Sequence, residues 1–224
     1  MIPIRDVIPS RTTPGVTITL IALNVVVFLF QLLLSERAID AFIVAFGVVP
    51  AQLSILSIFT SMFVHGGLAH LAGNMLFLWI FGDNVEDRLG HGRFIAFYLL
   101  CGVAAALAQV ALNPESLVPM VGASGAIAGV MGAYLVLYPR SRVLMLFPFP
   151  VFLFELPAIV FLGVWFFVQF LNGVNQLPIF EKEAISGGVA FWAHVMGFIA
   201  GVFLVVLMRR PERTRVEWWD TIEF

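Results

Sequence analysis

Three short polar stretches lie in a chain that is otherwise strongly apolar, and they hold the side chains best suited to chemistry. Ser124 belongs to the run Gly-Ala-Ser-Gly, and His194 belongs to the later run Ala-His-Val-Met-Gly. A serine hydroxyl becomes an effective nucleophile when a neighbouring base removes its proton. Histidine suits that task because its unperturbed pKa is near neutrality. We therefore predict acyl-transfer chemistry with Ser124 as the nucleophile and His194 as the general base.

The third stretch holds donors that could stabilise charge on a substrate oxygen. His70 and Asn74 are four residues apart, so they share one face of a helix. Acyl transfer needs hydrogen-bond donors aimed at the developing oxyanion. Both side chains can donate, and the backbone N–H of Ser124 supplies a further donor. No acidic residue lies in the stretches of Ser124 and His194, so we predict a catalytic dyad rather than a triad.

Each of these residues also has an ordinary structural interpretation. Serine and glycine are common at helix starts and packing seams, so Gly-x-Ser-Gly alone is a weak signal. His194 could simply bond a neighbouring helix, and Asn74 could hold two helices together. The catalytic interpretation rests on the prediction that all three polar stretches lie at the same end of a helical bundle.

The composition places these residues in a membrane protein. Of the 224 residues, 61% are hydrophobic and 12% are charged, whereas a soluble domain has about a quarter charged residues. The length suits one membrane domain. The single cysteine, Cys101, excludes a disulfide within this chain. No charge run or aromatic-basic stripe is suited to nucleic acid, so the expected surroundings are a lipid bilayer, and no oligomeric state is favoured.

Apolar segments predict six membrane spans, because a span needs roughly 20 apolar residues, or somewhat fewer where a helix starts below the surface. The six segments are 16–34, 68–81, 94–112, 123 or 124 to 138, 156–171 and 189–208. Residues 41–64 are nearly uncharged but contain glycine, proline and hydroxyl side chains, which favours a re-entrant or interfacial loop. The predicted fold class is an all-α membrane protein, a six-transmembrane-helix bundle with a long, partly embedded first loop.

The distribution of positive charge predicts an orientation for six spans. One side holds Arg5, Arg11, Arg88, Arg93, Arg140, Arg142, Arg209, Arg210, Arg213 and Arg215, and the other holds only Arg37 and Lys182. That distribution places both termini in the cytoplasm. A seventh span through 41–64 would exchange Arg5 and Arg11 for Arg37. The exchange changes the count by only one charge, so charge alone leaves this alternative open.

The fourth span is short enough to place Ser124 below the membrane surface. A helix of about 16 residues extends about 24 Å, which is less than the roughly 30 Å of a hydrocarbon core. Its free N-terminal N–H groups would then need a polar cavity. Small residues at four-residue spacing let helices pack closely in lipid. The predicted rows are Ser124, Ala128 and Gly132 in the fourth span, and Gly197 and Gly201 in the sixth.

Over nearly its whole length the chain resembles the rhomboid family of intramembrane serine proteases. The stretches that carry the resemblance are 59–67, the pair His70 and Asn74, 82–90, the serine run 122–126 and the histidine run 193–201. The resemblance implies a six-span rhomboid bundle that cleaves single-span membrane proteins in or near their transmembrane segments. It implies a Ser124–His194 dyad and neither a metal nor a cofactor.

The resemblance also assigns the residues around the dyad. The oxyanion would be held by His70, Asn74, the backbone N–H of Ser124 and a contribution from Ala123. Gly122 would keep the backbone close to the substrate. One departure bears on the site: some members place an aromatic residue four positions after the nucleophile, where it stacks on the histidine. Here that position is Ala128, so His194 must be oriented by another group.

Spans and resemblance together predict the organisation of the chain. Residues 1–15 would be a cytoplasmic N-terminal segment, 16–208 the protease domain and 209–224 a cytoplasmic C-terminal tail. Residues 173–188 resemble the family's flexible cap over the site. No removable targeting segment is evident in the sequence, which suggests a bacterial inner (plasma) membrane.

Two acidic residues away from the three stretches are expected to be structural. Glu86 is expected in a loop spanning 82–90, where it would accept backbone hydrogen bonds. Glu155 is expected at the start of the fifth span.

Two functions of other classes compete with proteolysis. A catalytically silent protein that binds membrane clients would be expected to lack the serine or the histidine, and this chain keeps both. A small transporter would distribute ionisable groups through the bilayer depth, whereas the polar residues here gather at one end of the predicted spans.

Overall fold

The structure is a computed structural model that describes residues 2–175 and 189–210 of the chain. Most of the described residues are helical. In chain order the helices are α1 (Gly15–Gln31), α2 (Glu36–Phe46), α3 (Ile55–Thr60), α4 (Leu68–Leu89), α5 (His91–Leu112), α6 (Ser124–Leu137), α7 (Ala158–Asn175) and α8 (Phe191–Met208). Two short 3-10 turns, Pro50–Gln52 and Ser61–Phe63, flank α3.

Several of these helices are apolar enough for a membrane. Among the described residues, α5, α7 and α8 have the length and composition to cross one. The helical segment Ile55–Phe63 and α4 pass the same test together, but they are bent by 88° at the break between them. α1 and α6 are apolar but shorter. α6 begins at Ser124 as predicted, and its 14 residues extend only about 21 Å at 1.5 Å per residue.

Residues 41–64 form no single straight helix. α2 ends at Phe46, and three short helical pieces follow it, namely the 3-10 turn Pro50–Gln52, α3 and the 3-10 turn Ser61–Phe63. Within this segment Val48 pairs with Met120. The backbone N–H of Val48 donates to the Met120 carbonyl at 2.9 Å, and the N–H of Met120 donates to the Val48 carbonyl at 2.8 Å. The backbone of this segment therefore packs against the residues that precede α6.

A three-stranded antiparallel sheet accompanies the helices, so the expectation of an all-α fold is wrong in this respect. Its order is β1 (Ile2–Asp6), β2 (Arg142–Pro148) and β3 (Val151–Pro157), with β2 in the centre. Alternate residues of β2, Val143 and Met145, are buried, as expected for a strand with one face against a core. The predicted fifth span consequently becomes helical only at Ala158, the first residue of α7. Glu155 lies in β3, where it accepts a hydrogen bond from the Arg142 side chain at 3.2 Å.

Helices α6 and α8 approach each other through glycines. A Cβ atom at Gly197 would lie 2.1 Å from the carbonyl oxygen of Gly125, and one at Gly132 would lie 2.3 Å from that of Phe198. Close packing of these two helices by small residues is therefore confirmed. The row on α6 differs from the predicted one: Gly125, Gly129 and Gly132 make the closest backbone contacts with α8, and of the predicted row only Gly132 is among them.

α4 continues through the region where a loop was predicted, and it ends at Leu89, just before Gly90, whose φ is +79°. Glu86 therefore lies in the last turn of a helix, and its placement in a loop is wrong. Its buried carboxylate accepts hydrogen bonds from the backbone N–H groups of Val16 and Thr17 at 2.9 and 2.8 Å, and from the Thr17 hydroxyl at 2.7 Å. The prediction that it accepts backbone hydrogen bonds is confirmed. These N–H groups belong to the first turn of α1, where they have no partner within the helix.

Strand β1 is attached to the bundle through Asp6, at the end of the bundle opposite Ser124. The Tyr134 hydroxyl donates to its carboxylate at 2.6 Å, and the Asn84 side chain donates at 3.1 Å. Burial raises the pKa of Asp6 from its ordinary value of 3.8 to about 6, although the hydrogen bond from Tyr134 opposes the shift.

Candidate active site

Ser124 and His194 lie together although 70 positions separate them in the sequence. The Nε2 atom of His194 is 2.8 Å from the hydroxyl oxygen of Ser124, which is a normal hydrogen-bond distance. Ser124 is the first residue of α6, and His194 lies in the first turn of α8. The glycine contacts that bring α6 and α8 close therefore also bring the hydroxyl and the imidazole to bonding distance.

The first loop holds the backbone just before Ser124. The N–H of Gly122 donates to the carbonyl of Ser61 at 2.8 Å, and the Val48–Met120 pair lies two residues further back. Gly122 has a φ of +117°, in the left-handed region that favours glycine. These contacts fix the approach of the chain to α6, so the position of the Ser124 hydroxyl depends on the folded loop 41–64.

His70 and Asn74 lie against the same short stretch of backbone. A Cβ atom at Gly122 would lie 2.7 Å from the His70 ring and 3.5 Å from the Asn74 side-chain nitrogen. Glycine at this position thus leaves the space that both side chains occupy. Ala123, between Gly122 and Ser124, is fully buried. The four residues predicted to hold an oxyanion, together with Gly122, are thus grouped at the start of α6.

The Asn74 side-chain amide places a buried hydrogen-bond donor at this point. Asn74 is 7% exposed, and among the described residues its Nδ2 atom has no hydrogen-bond partner. Buried polar groups are nearly always paired, so a group left free in this way needs an explanation. Its position beside Gly122 supplies one, because an oxygen atom bound near Ser124 could accept from it.

A cavity of about 1310 Å³ joins these groups. His70, Asn74, Ser124 and His194 all line it, as do the polar side chains of Gln109, Asn113 and Ser116. A cavity therefore lies at the start of α6, where the free N–H groups of that helix were expected to need one. Its volume is sufficient for a peptide segment together with water.

One residue of the site was missed by the sequence analysis. Gln169 of α7 places its side-chain oxygen 2.8 Å from Nδ1 of His194, on the ring nitrogen that does not face Ser124. Trp165, one turn earlier on the same helix, has its ring centroid 6.0 Å from that of His194. These contacts answer the question raised by Ala128 of how the imidazole is oriented. A lone amide within an apolar span was the available signal, because polar groups in membrane helices are costly.

Comparison with known proteins identifies the family. The family model of the Rhomboid domain matches residues 52–211, which is more than half of the chain. The chain belongs to the rhomboid family. Rhomboid proteins are generally intramembrane serine proteases, so the chain is a membrane protein of a protease family with transmembrane helices.

Several curated rhomboid proteins are similar to this chain. Rhomboid protease GluP of Bacillus subtilis (strain 168) is 35% identical over 59% of this chain and 26% of its own length. Rhomboid protein 1, mitochondrial, of Saccharomyces cerevisiae is 36% identical over 73% of this chain and 46% of its own length. The human presenilin-associated rhomboid-like protein, mitochondrial, is 34% identical over 95% of this chain and 53% of its own length. The chain therefore spans from about a quarter to about half of the length of these rhomboid relatives.

The rhomboid comparison corrects the expected location. A bacterial plasma membrane was predicted, and this is contradicted by rhomboid relatives that cover 73% and 95% of the chain and are named as mitochondrial proteins.

Proposed function

We propose that this rhomboid protein is an intramembrane serine endopeptidase that uses Ser124 as nucleophile and His194 as general base. The observation that supports this most directly is the 2.8 Å contact between Nε2 of His194 and the Ser124 hydroxyl. A nucleophile and a base at hydrogen-bond distance, beside a cavity that can admit a substrate, are the minimum for covalent acyl transfer.

In the proposed reaction the Ser124 oxygen attacks the scissile carbonyl carbon while His194 takes the hydroxyl proton on Nε2. The tetrahedral intermediate then collapses, the peptide bond breaks, and the imidazolium returns its proton to the leaving amine. The acyl-enzyme is hydrolysed by a water molecule that His194 deprotonates in turn. The products are a carboxylic acid and an amine, and Ser124 is restored.

The proposed oxyanion hole uses the group at the start of α6. Asn74 and His70 supply side-chain donors, and the backbone N–H of Ser124 supplies a third, with Ala123 contributing to the same turn. Among the described residues the buried Nδ2 atom of Asn74 has no hydrogen-bond partner, which supports this assignment. A donor already directed at the reacting oxygen requires little reorganisation during the reaction.

The proposed membrane arrangement has six spans. α5, α7 and α8 supply three, α4 after its sharp bend supplies a fourth, and the short apolar helices α1 and α6 supply the others. Residues 16–208 would then be the protease domain, and 41–64 a partly embedded first loop. The shortness of α6 supports a site below the membrane surface, reached by water through the cavity.

The proposed substrates are membrane proteins with single transmembrane segments. Cleavage in or near such a segment needs a strand of unwound backbone to reach Ser124, and the large cavity beside it offers that room. The names of the yeast and human relatives indicate a mitochondrial membrane as the setting.

Labelling with a fluorophosphonate probe tests the proposal, since the probe reacts with activated serines. The detergent-solubilised wild type is compared with Ser124→Ala and His194→Ala. Ser116→Ala is the matched control, because Ser116 lines the same cavity. Labelling of the wild type and of Ser116→Ala, with none of the other two variants, is the expected result.

Two other outcomes would argue against the proposal. Equal labelling of all four proteins would mean that the reacting nucleophile is not Ser124. A folded wild type that takes no label, and that cleaves no single-span protein when both are reconstituted in liposomes, would favour the silent client-binding alternative.

A further inference from the structure

The imidazole of His194 is bonded at both of its nitrogen atoms, and the two partners come from different helices. Nε2 faces Ser124 of α6, and Nδ1 lies 2.8 Å from the Gln169 side-chain oxygen of α7. The arrangement parallels that of serine hydrolases in which a third group orients the base. Here the third group is a neutral amide instead of a carboxylate.

The identity of the atom that faces Nδ1 determines the protonation pattern of the neutral ring. A side-chain oxygen can only accept, so Nδ1 must carry the proton when it is bonded to Gln169. Nε2 is then left with its lone pair directed at the Ser124 hydroxyl. A general base needs this tautomer, because the opposite one would direct an N–H group at the hydroxyl and could not take its proton.

We propose that Gln169 is a positioning residue, which holds His194 in the tautomer and ring orientation needed to deprotonate Ser124 and links that state to the position of α7. This inference rests on the proposed function and deepens it. Its side-chain oxygen faces Nδ1 of His194, so in this proposal it acts on Ser124 through the imidazole.

The link to α7 follows from how that helix packs. Within the described residues, three of its 18 residues are buried (Ala158, Leu162 and Gly173) and eight are exposed. Trp165 and Gln169 lie one turn apart and both contact His194. A shift of α7 away from α8 would therefore remove the acceptor and the neighbouring ring together, and the imidazole would lose its defined orientation.

Nitrogen NMR measures the tautomer directly and does not depend on catalysis. In uniformly ¹⁵N-labelled protein the two ring nitrogens have distinct shifts when protonated and unprotonated, and His194→Ala identifies its signals among the four histidines. Three variants are compared with the wild type. Gln169→Met keeps the length but removes the acceptor, and Gln169→Glu keeps an acceptor. Asn172→Leu removes an amide whose hydrogen bond in the described part of the chain goes to Val168 of the same helix.

We expect the position of the imidazole proton to depend on whether the side chain at position 169 is a hydrogen-bond acceptor. The wild type, Gln169→Glu and Asn172→Leu hold the proton on Nδ1, whereas Gln169→Met shows a larger population protonated on Nε2. The rate of fluorophosphonate labelling falls roughly tenfold in Gln169→Met, which corresponds to about 1.4 kcal/mol of activation free energy. It stays within about threefold of wild type in Gln169→Glu, because a retained acceptor preserves the hydrogen bond.

Two results would overturn the inference. One is a wild-type imidazole that carries its proton on Nε2, which would mean that the Gln169 amide nitrogen donates to Nδ1. The other is Gln169→Met with the tautomer and labelling rate of wild type. A wild type that takes no label at all would count against the proposed function, and the tautomer populations would then decide the role of Gln169 by themselves.

Discussion

Gly201 of α8 packs against the backbone of Gly129 in α6, and a Cβ atom at position 201 would lie 1.9 Å from the Gly129 carbonyl oxygen. No side chain fits between two backbones at that separation. One turn earlier, Gly197 stands in the same relation to Gly125. These contacts lie directly below the Ser124–His194 pair, so the spacing of the two helices determines the distance between the hydroxyl and the imidazole.

Replacing Gly201 with alanine should therefore push α6 and α8 apart. Overpacking of this kind typically costs about 1–3 kcal/mol. We expect a lower unfolding temperature in detergent and a slower reaction of Ser124 with fluorophosphonate. Gly163→Ala is the control, because a Cβ atom at Gly163 meets nothing within 4 Å. Equal unfolding temperatures for the two variants would contradict the close packing of α6 and α8.

A second prediction concerns the capping of α1 by Glu86. The buried carboxylate accepts three hydrogen bonds from Val16 and Thr17 and also contacts the His91 ring. In Glu86→Gln an amide NH₂ group replaces one of the accepting oxygens and would face these donors. Leaving buried donors unpaired costs about 1–3 kcal/mol.

The measurement for Glu86 is the unfolding temperature of the two glutamate variants. Glu86→Gln should lower it clearly, whereas Glu155→Gln should leave it nearly unchanged, because Glu155 makes an exposed ion pair with Arg142 and such pairs contribute little. Similar small effects of both changes would show that the cap does not stabilise α1.

The sequence predicted the end of the molecule that holds Ser124 and His194 better than the opposite end. Ser124, His194 and Asn74 were identifiable because each is a polar group in an apolar region, where such groups are expensive. The contact between Ser124 and His194 also followed from the glycines of two helices. The sequence did not predict which small residues of α6 face α8. The rotation of α6 about its axis also depends on contacts with a third helix, such as that between Gly129 and Cys101 of α5.

The sheet and Glu86 show what local patterns leave undetermined. Residues 142–157 are an apolar run interrupted by prolines, and periodicity alone does not separate a buried strand from the start of a helix. The pairing of β2 with β1 joins residues from distant parts of the chain.

Glu86 was placed in a loop because Gly82 and Gly90 were interpreted as the ends of that loop. In the structure Gly82 lies inside α4 and packs against Thr17 of α1. Gln169 was overlooked because its only informative partner, His194, lies on another helix.

A third prediction concerns the dependence of stability on pH at the end opposite the dyad. Because burial raises the folded-state pKa of Asp6 to about 6 from 3.8, the folded protein binds this proton more tightly than the unfolded chain. The resulting stabilisation is complete below pH 3.8 and is lost as the pH rises through about 6. Asp6→Asn keeps an oxygen that can accept from the Tyr134 hydroxyl but cannot ionise.

The unfolding temperature measured across this pH window should therefore fall less steeply in Asp6→Asn than in the wild type. Asp40→Asn, at an exposed position of α2, should follow the wild-type curve. Parallel curves for Asp6→Asn and the wild type would show that the Asp6 carboxyl is not held in the protonated form by burial.

The last prediction tests the oxyanion assignment through the charge of a single side chain. Asn74→Ala removes the free donor, and Asn74→Asp replaces it with a carboxyl group of nearly the same shape that repels a developing negative charge when ionised. Loss of one oxyanion donor costs roughly 10²–10³ in rate. The labelling rate should therefore decrease from wild type to Asn74→Ala and be lowest in Asn74→Asp.

Asn113→Ala is the control for this prediction, because it removes an amide that lines the same cavity. It should react at close to the wild-type rate. If Asn74→Ala reacted as fast as Asn113→Ala, the buried Nδ2 group would have no part in stabilising the oxyanion, and its role would be limited to helix packing.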